Sequence, residues 1–194
     1  MNQPRIPRQK TNEKCTSGRN LRKTLLLLGA IFVVWAGQAN AQQSLGDLVT
    51  EAGLDWMIGR WVAKTDEGDK LQLTYRWQIE KHLVTILLKT PDFQYHGMIF
   101  YVPAKEEVVQ VGVDNRGGSG KGVWEPDGDK AIMKIEHTGT DGETQRMALV
   151  HSKVNPETMK MEMYTLDSTG ELADEPWATL EFKRQSAKAR KKDK

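Results

Sequence analysis

Residues 70–80, KLQLTYRWQIE, alternate between apolar and polar side chains without interruption. Leu71, Leu73, Tyr75, Trp77 and Ile79 fall on one side; Lys70, Gln72, Thr74, Arg76 and Gln78 fall on the other. Successive side chains of a strand point to opposite faces, so this pattern marks a half-buried β-strand with one face on a core and one in water. A helix would scatter the same apolar residues around its circumference.

Comparable runs recur at 59–65, 82–90, 93–102, 107–114, 119–125, 130–138, 144–152, 158–166 and 176–184. The gaps between them carry turn chemistry: DEGD at 66–69, Pro91-Asp92, Asn115–Gly118, PDGD at 126–129, GTDG at 139–142 and Asn155-Pro156. Gly, Pro, Asn and Asp supply the backbone angles that tight turns need. Gaps this short leave no room for crossover helices, so the strands must pair antiparallel and mostly in sequence. Closing such a meander removes its exposed edges, which favours a barrel over an open sheet, with a two-sheet sandwich as the alternative. One helical stretch is expected, within Gln43–Met57, where Ser44 can cap, Asp47 lies in the first turn, and Leu45, Leu48 and Val49 share a side. Gly53 is placed to end it. The expected fold is therefore all-β, an antiparallel closed β-barrel of about ten strands with a short N-terminal helix.

The formal net charge of +2 averages three unlike segments. Residues 1–41 hold seven Lys/Arg against one Glu, residues 42–185 hold sixteen against twenty-four Asp/Glu, and residues 186–194 hold five against one. The first segment has the form of a signal peptide: a basic stretch to Lys23, the apolar run TLLLLGAIFVVWAG from Thr24 to Gly37, and Ala39-Asn40-Ala41 as a small-residue cleavage site. A membrane anchor needs about 20 apolar residues, more than this run holds, which predicts cleavage near Ala41 and an exported, periplasmic or extracellular protein without a transmembrane segment. The one cysteine, Cys15, precedes the apolar run. The processed chain thus lacks the thiols for disulfides, thiol catalysis or zinc–cysteine sites. The acidic middle segment argues against nucleic acid as a partner. The tail SAKARKKDK (186–194) reads as a disordered basic end that can touch an anionic surface.

Gly59-Arg60-Trp61 opens the first strand just after the helical stretch, and Arg184 stands near the end of the last. Trp77, the run GGSGKGVW (Gly117–Trp124) with its second G-x-W at Gly122/Trp124, and the final Arg184 complete a set. This set resembles the lipocalin-like (calycin) barrels, and among them a family of poorly characterised exported bacterial domains that also occur beside SnoaL-like domains. The resemblance implies that Gly59, Trp61 and Arg184 close one end of the barrel, with the guanidinium stacked on the indole.

Candidate chemistry is sparse. The glycine-rich GVDNRGGSGKG (112–122) fails as a phosphate loop, because Asn115 and Gly122 stand where Gly and Ser/Thr are required. A flexible hairpin at the barrel rim is the expectation. Met159, Met161 and Met163 share one strand face. Thioethers can hold Cu(I), but with no Cys or His in that strand they are expected to fill the core or line a cavity. His137 shares a face with Met133 and Ile135, His151 with Met147 and Leu149, and His96 with Met98 and Phe100. If all three faces point inward, a zinc site or haem ligand is conceivable, although the last strand lacks the histidine that haem-binding barrels use; hydrogen-bonded histidines are the simpler expectation. No nucleophile motif such as G-x-S-x-G occurs. The expected function is binding of a small, mainly apolar ligand inside the barrel, through Tyr75, Trp77, Phe100, Met159, Met161 and Met163, without a cofactor or catalytic residue. The alternatives are an accessory protein of the cell envelope without a small ligand and, behind it, a His-based metal or haem protein.

Overall fold

In the computed structural model, which describes residues 43–65 and 68–185, the chain begins with helix α1 (Leu45–Glu51). Ser44 and Asp47 form a capping box in which the Ser44 hydroxyl accepts from the Asp47 N–H and the Asp47 carboxylate accepts from the Ser44 N–H. Gly53, at φ +66°, turns the chain, and one 3₁₀ turn (Asp55–Met57) delivers it to the first strand. The helical stretch is thus broken in two at the expected glycine. Among the described residues no helix is long and apolar enough to cross a membrane. The expected signal peptide (1–41) and basic tail (186–194) lie outside the described residues.

Ten strands follow: β1 (Gly59–Lys64), β2 (Lys70–Ile79), β3 (Leu83–Lys89), β4 (Gln94–Val102) and β5 (Glu107–Asp114), then β6 (Ser119–Asp127), β7 (Lys130–Thr138), β8 (Thr144–Asn155), β9 (Thr158–Thr165) and β10 (Ala178–Arg184). Every strand pairs antiparallel with its sequence neighbours, and β10 returns to β1, so the sheet is a closed barrel. That last pairing excludes the sandwich. Strand bounds depart from expectation mainly late in the chain, where β8 runs on to Asn155 and β10 starts at Ala178 after the one long connection, 166–177.

The alternation of β2 is realised with Leu71, Leu73 and Tyr75 buried inside. It fails at the far end. The register against β3 shifts between Trp77 and Ile79, and Ile79 is 55% exposed. An extra residue in the ladder re-aims the side chain beyond it, so the two-residue period cannot be carried through.

The barrel closes where the resemblance placed Trp61 and Arg184, which are direct register partners. Trp61 is fully buried, and its Nε1–H donates to the Met57 carbonyl at 2.9 Å. The Arg184 guanidinium lies 4.1 Å from the centre of the indole and donates to the carbonyls of Ile58 (3.0 Å), Pro156 (3.2 Å) and Trp56. One cation therefore ties the 3₁₀ turn, the β8–β9 turn and the indole together, over a β1–β10 seam only two register pairs long.

The first residue of the G-x-W follows from the same contact. Gly59 has φ +147°, and a Cβ there would stand 2.5 Å from Arg184 Nη1. Gly59→Ala is expected to destabilise the protein by at least about 1–3 kcal/mol from backbone strain alone, read as a lowered urea midpoint. An unchanged midpoint would show that the guanidinium can move aside without loss.

Candidate functional site

Inward-facing residues do not fill the barrel. A layer of polar and aromatic side chains crosses its middle and divides the interior into two cavities. On one side of this layer Tyr75 of β2 meets His151 of β8, hydroxyl to Nε2, at 3.0 Å. On the other, the Gln110 amide of β5 donates to the Tyr95 hydroxyl at 3.2 Å and accepts from Trp124 Nε1–H at 3.1 Å. The Trp124 ring joins the two halves, with ring centres 5.2 Å from His151 and 6.2 Å from Tyr75. Tyr75, Gln110 and His151 are each at most 3% exposed. Apart from His151 Nδ1, the buried polar side-chain atoms of this layer satisfy one another, which makes their burial tolerable.

Protonation in this layer follows from burial. Removal from water drives the His151 pKa down to about 4, against a weaker upward pull from the backbone of Ala131 and Leu149. The ring is therefore neutral at neutral pH. Its Nδ1 has no hydrogen-bond partner of good geometry among the described residues. Tyr75 and His151 share one hydrogen bond through Nε2, its direction set by the tautomer of the ring. Burial, and secondarily Tyr95, raise the Tyr75 pKa well above the ordinary phenol range, so Tyr75 remains protonated.

Glycines make room for the layer. A Cβ at Gly112 would strike the Tyr95 ring and hydroxyl, and one at Gly120 would come within 3.3 Å of the same hydroxyl. Gly112 and Gly120 are register partners on β5 and β6. Together they form a floor on which the Tyr95 ring lies flat and reaches Gln110.

The smaller cavity, about 200 Å³, lies beneath α1 and is lined by Leu45, Leu48 and Val49 of the helix and by Val84, Ile99 and Val108 of the strands. The larger, about 310 Å³, lies at the other end. Its walls are Leu73, Ile86 and Leu88, then Met133, Ile135 and Leu149, with Met147 and Met161. Tyr75, Tyr95, Gln110 and His151 form its floor, and His137 and Gln145 stand where the strands end. His137 is held by Asp114, Nε2 to Oδ2 at 2.8 Å. The Asp114 carboxylate is 3% exposed and also accepts from the N–H groups of Arg116 (2.7 Å) and Gly118 (3.0 Å). Burial alone would raise its pKa, but these hydrogen bonds together outweigh it and hold the carboxyl below the usual range.

Of the residues singled out in the sequence, Tyr75 and Met161 line the larger cavity, and Tyr75 also borders the smaller. Met159 is fully buried in the packed core, while Trp77 and Met163 are half-buried against it. Phe100 projects from the outer face of β4, beside a surface groove that also includes Val109 and Val123. His96 shares that outer face and is exposed, so the three histidines do not converge: one is outside, one is at a strand end and one is in the central layer. Among the described residues no group of three His, Cys, Asp or Glu side chains could hold a metal ion. Tyr95 and Gln110 also belong to the interior, as do Trp124, named from the sequence only within the second G-x-W, and Met133, named only as a face-mate of His137. The signal for Gln110 was present, since it alternates with Val108 and Gly112 on a strand otherwise rich in valine.

No family model matches this chain, and no curated protein matches it.

Proposed function

We propose that the protein works outside the cytoplasm as a lipocalin-like barrel whose interior binds a small, mainly apolar molecule. The observation that carries this reading is the cavity of about 310 Å³, walled by aliphatic and thioether side chains over a floor of four polar ones. Pockets of about this size, apolar with a few converging polar groups, are where small ligands bind. Tyr75 and Met161 are the proposed contacts among the residues expected from the sequence, joined by Met133, Leu149 and Tyr95. The central layer contributes a polar floor against which a ligand can orient. Export is supported by the basic, apolar and small-residue succession of residues 1–41.

A neutral apolar fluorophore such as Nile red, titrated into the purified protein, is expected to show saturable enhancement. Ile135→Trp and Leu149→Trp each push an indole into the cavity and are expected to weaken that binding at least tenfold, while far-UV circular dichroism stays unchanged. Met161→Phe is a milder filling variant should either indole prevent folding. Absence of saturable binding, or binding indifferent to all folded filling variants, would refute the reading in favour of an accessory protein without a ligand.

A further inference from the structure

The larger cavity has two polar residues that the central layer does not use, His137 and Gln145, and His137 is the one held by a buried carboxylate. His137 lines its wall where β7 ends, and its side chain is 26% exposed, so the cavity meets solvent there. Asp114 is a carboxylate that only accepts, so the neutral imidazole must carry its proton on Nε2, the atom that faces Asp114 at 2.8 Å. The other nitrogen, Nδ1, is then an acceptor, and Asp114 does not engage it. The Asp114 side chain is itself fixed by two backbone N–H groups, which makes the ring's orientation and tautomer properties of the fold.

The charges around the interior point the same way. Neither cavity has a Lys or Arg in its lining. Carboxylates stand at both ends: Asp114 against His137, and Glu106 and Glu125 beside the smaller cavity. Arg116 stacks over the Phe93 ring at 5.6 Å and is not part of the cavity wall. A carboxylate head at this mouth would meet no Lys or Arg of the wall and would face an imidazole backed by the Asp114 carboxylate, so like charge disfavours it there.

We propose that the larger cavity takes a neutral apolar molecule bearing one hydrogen-bond-donating group, an alcohol or phenol, whose hydroxyl donates to His137 Nδ1. This rests on the interior-binding reading above and narrows it. The class it disfavours is the anionic one, free fatty acids included.

The test is displacement of Nile red at pH 8 by three compounds of matched chain: 1-octanol, octanoate and octyl methyl ether. Octanol is expected to displace about tenfold better than the ether, which cannot donate, and octanoate to be the weakest. In His137→Phe the octanol and ether values should converge while Nile red still binds. Asp114→Asn, which frees the ring to carry its proton on Nδ1, should narrow the same gap, and it decides the matter if His137→Phe does not fold. Octanoate matching or exceeding octanol, or an alcohol preference unchanged in the folded variants, would overturn this inference and leave interior binding standing. If Nile red itself does not bind, interior binding fails and this inference fails with it.

Discussion

Trp61→Ala is expected to lower the unfolding free energy by about 3–5 kcal/mol, the range for truncating a fully buried large aromatic. Against a total of about 5–15 kcal/mol for an ordinary domain, that is a large share. The reason is position as much as area. Trp61 is 0% exposed, and the edge of the Trp56 ring packs on it at 6.3 Å between centres. It also provides the surface on which Arg184 rests while that guanidinium ties down three carbonyls. Removing the indole leaves the cation over a void at the shortest seam in the barrel, β1 against β10. Trp61→Phe keeps much of the packing but leaves the Met57 carbonyl without its donor, and should cost less, about 1–3 kcal/mol. Urea titration of the three proteins checks the order. A Trp61→Ala variant within about 1 kcal/mol of the parent would mean that closure does not depend on the indole.

The second large effect is a loss of stability in acid that traces to His151. Its folded-state pKa is depressed from 6.5 to about 4 by complete burial. Between these values the unfolded chain binds a proton that the folded protein refuses, so stability rises with pH across the window. The contribution is fully present above about pH 6.5 and is lost as pH falls toward about 4, where the central layer must accept a charge. At 1.36 kcal/mol per pKa unit this amounts to about 3 kcal/mol. Urea midpoints measured from pH 7 to pH 4 should fall steadily in the parent. His151→Gln, which cannot titrate, should flatten that part of the curve even if its stability at pH 7 is lower. Asp114 acts in a separate range. Its pKa is depressed below the usual carboxylate value, so its contribution is present above that value and disappears only as pH falls through the lowered one. A slope between pH 4 and 6.5 that survives in His151→Gln would place the acid sensitivity elsewhere.

The fold was legible because its signals are local. Alternation names a strand from its own residues, and Gly53, Gly128 and Gly142, each at positive φ, mark breaks that no distant contact had to specify. The closing pair was legible for a different reason. Gly59, kept bare by its positive φ and by Arg184 together, stands two residues from the indole that Arg184 covers, and both leave a short sequence trace.

The interior was less legible. Alternation correctly groups His96, Met98 and Phe100 but is silent on which face is inside. On β4 both faces are apolar, since Tyr95, Gly97 and Ile99 are buried opposite them. Gln110 looked like an ordinary polar strand residue until Tyr95 and Trp124 arrived from two other strands to pair with it. The glycine-rich 112–122 read as a mobile hairpin, yet Gly112 and Gly120 lie within paired strands and are small because Tyr95 lies on them.

By itself, then, the sequence determined the all-β class, the run of strands, the breaks between them and the residues that seal one end. The class, the strands and the breaks rest on backbone geometry and on neighbours close along the chain; the sealing residues, distant from one another in sequence, came from the resemblance to lipocalin-like barrels. Only the tertiary structure decided which face of each strand is inside, that Tyr75 and His151 meet across 76 positions, and that a cavity remains between the central layer and the His137 end. The physical reason is that alternation is symmetric. It separates two faces without labelling them, and only closure of the sheet, bringing β2 opposite β8 and β5 beside β6, chooses one face as core and sets what space is left within it.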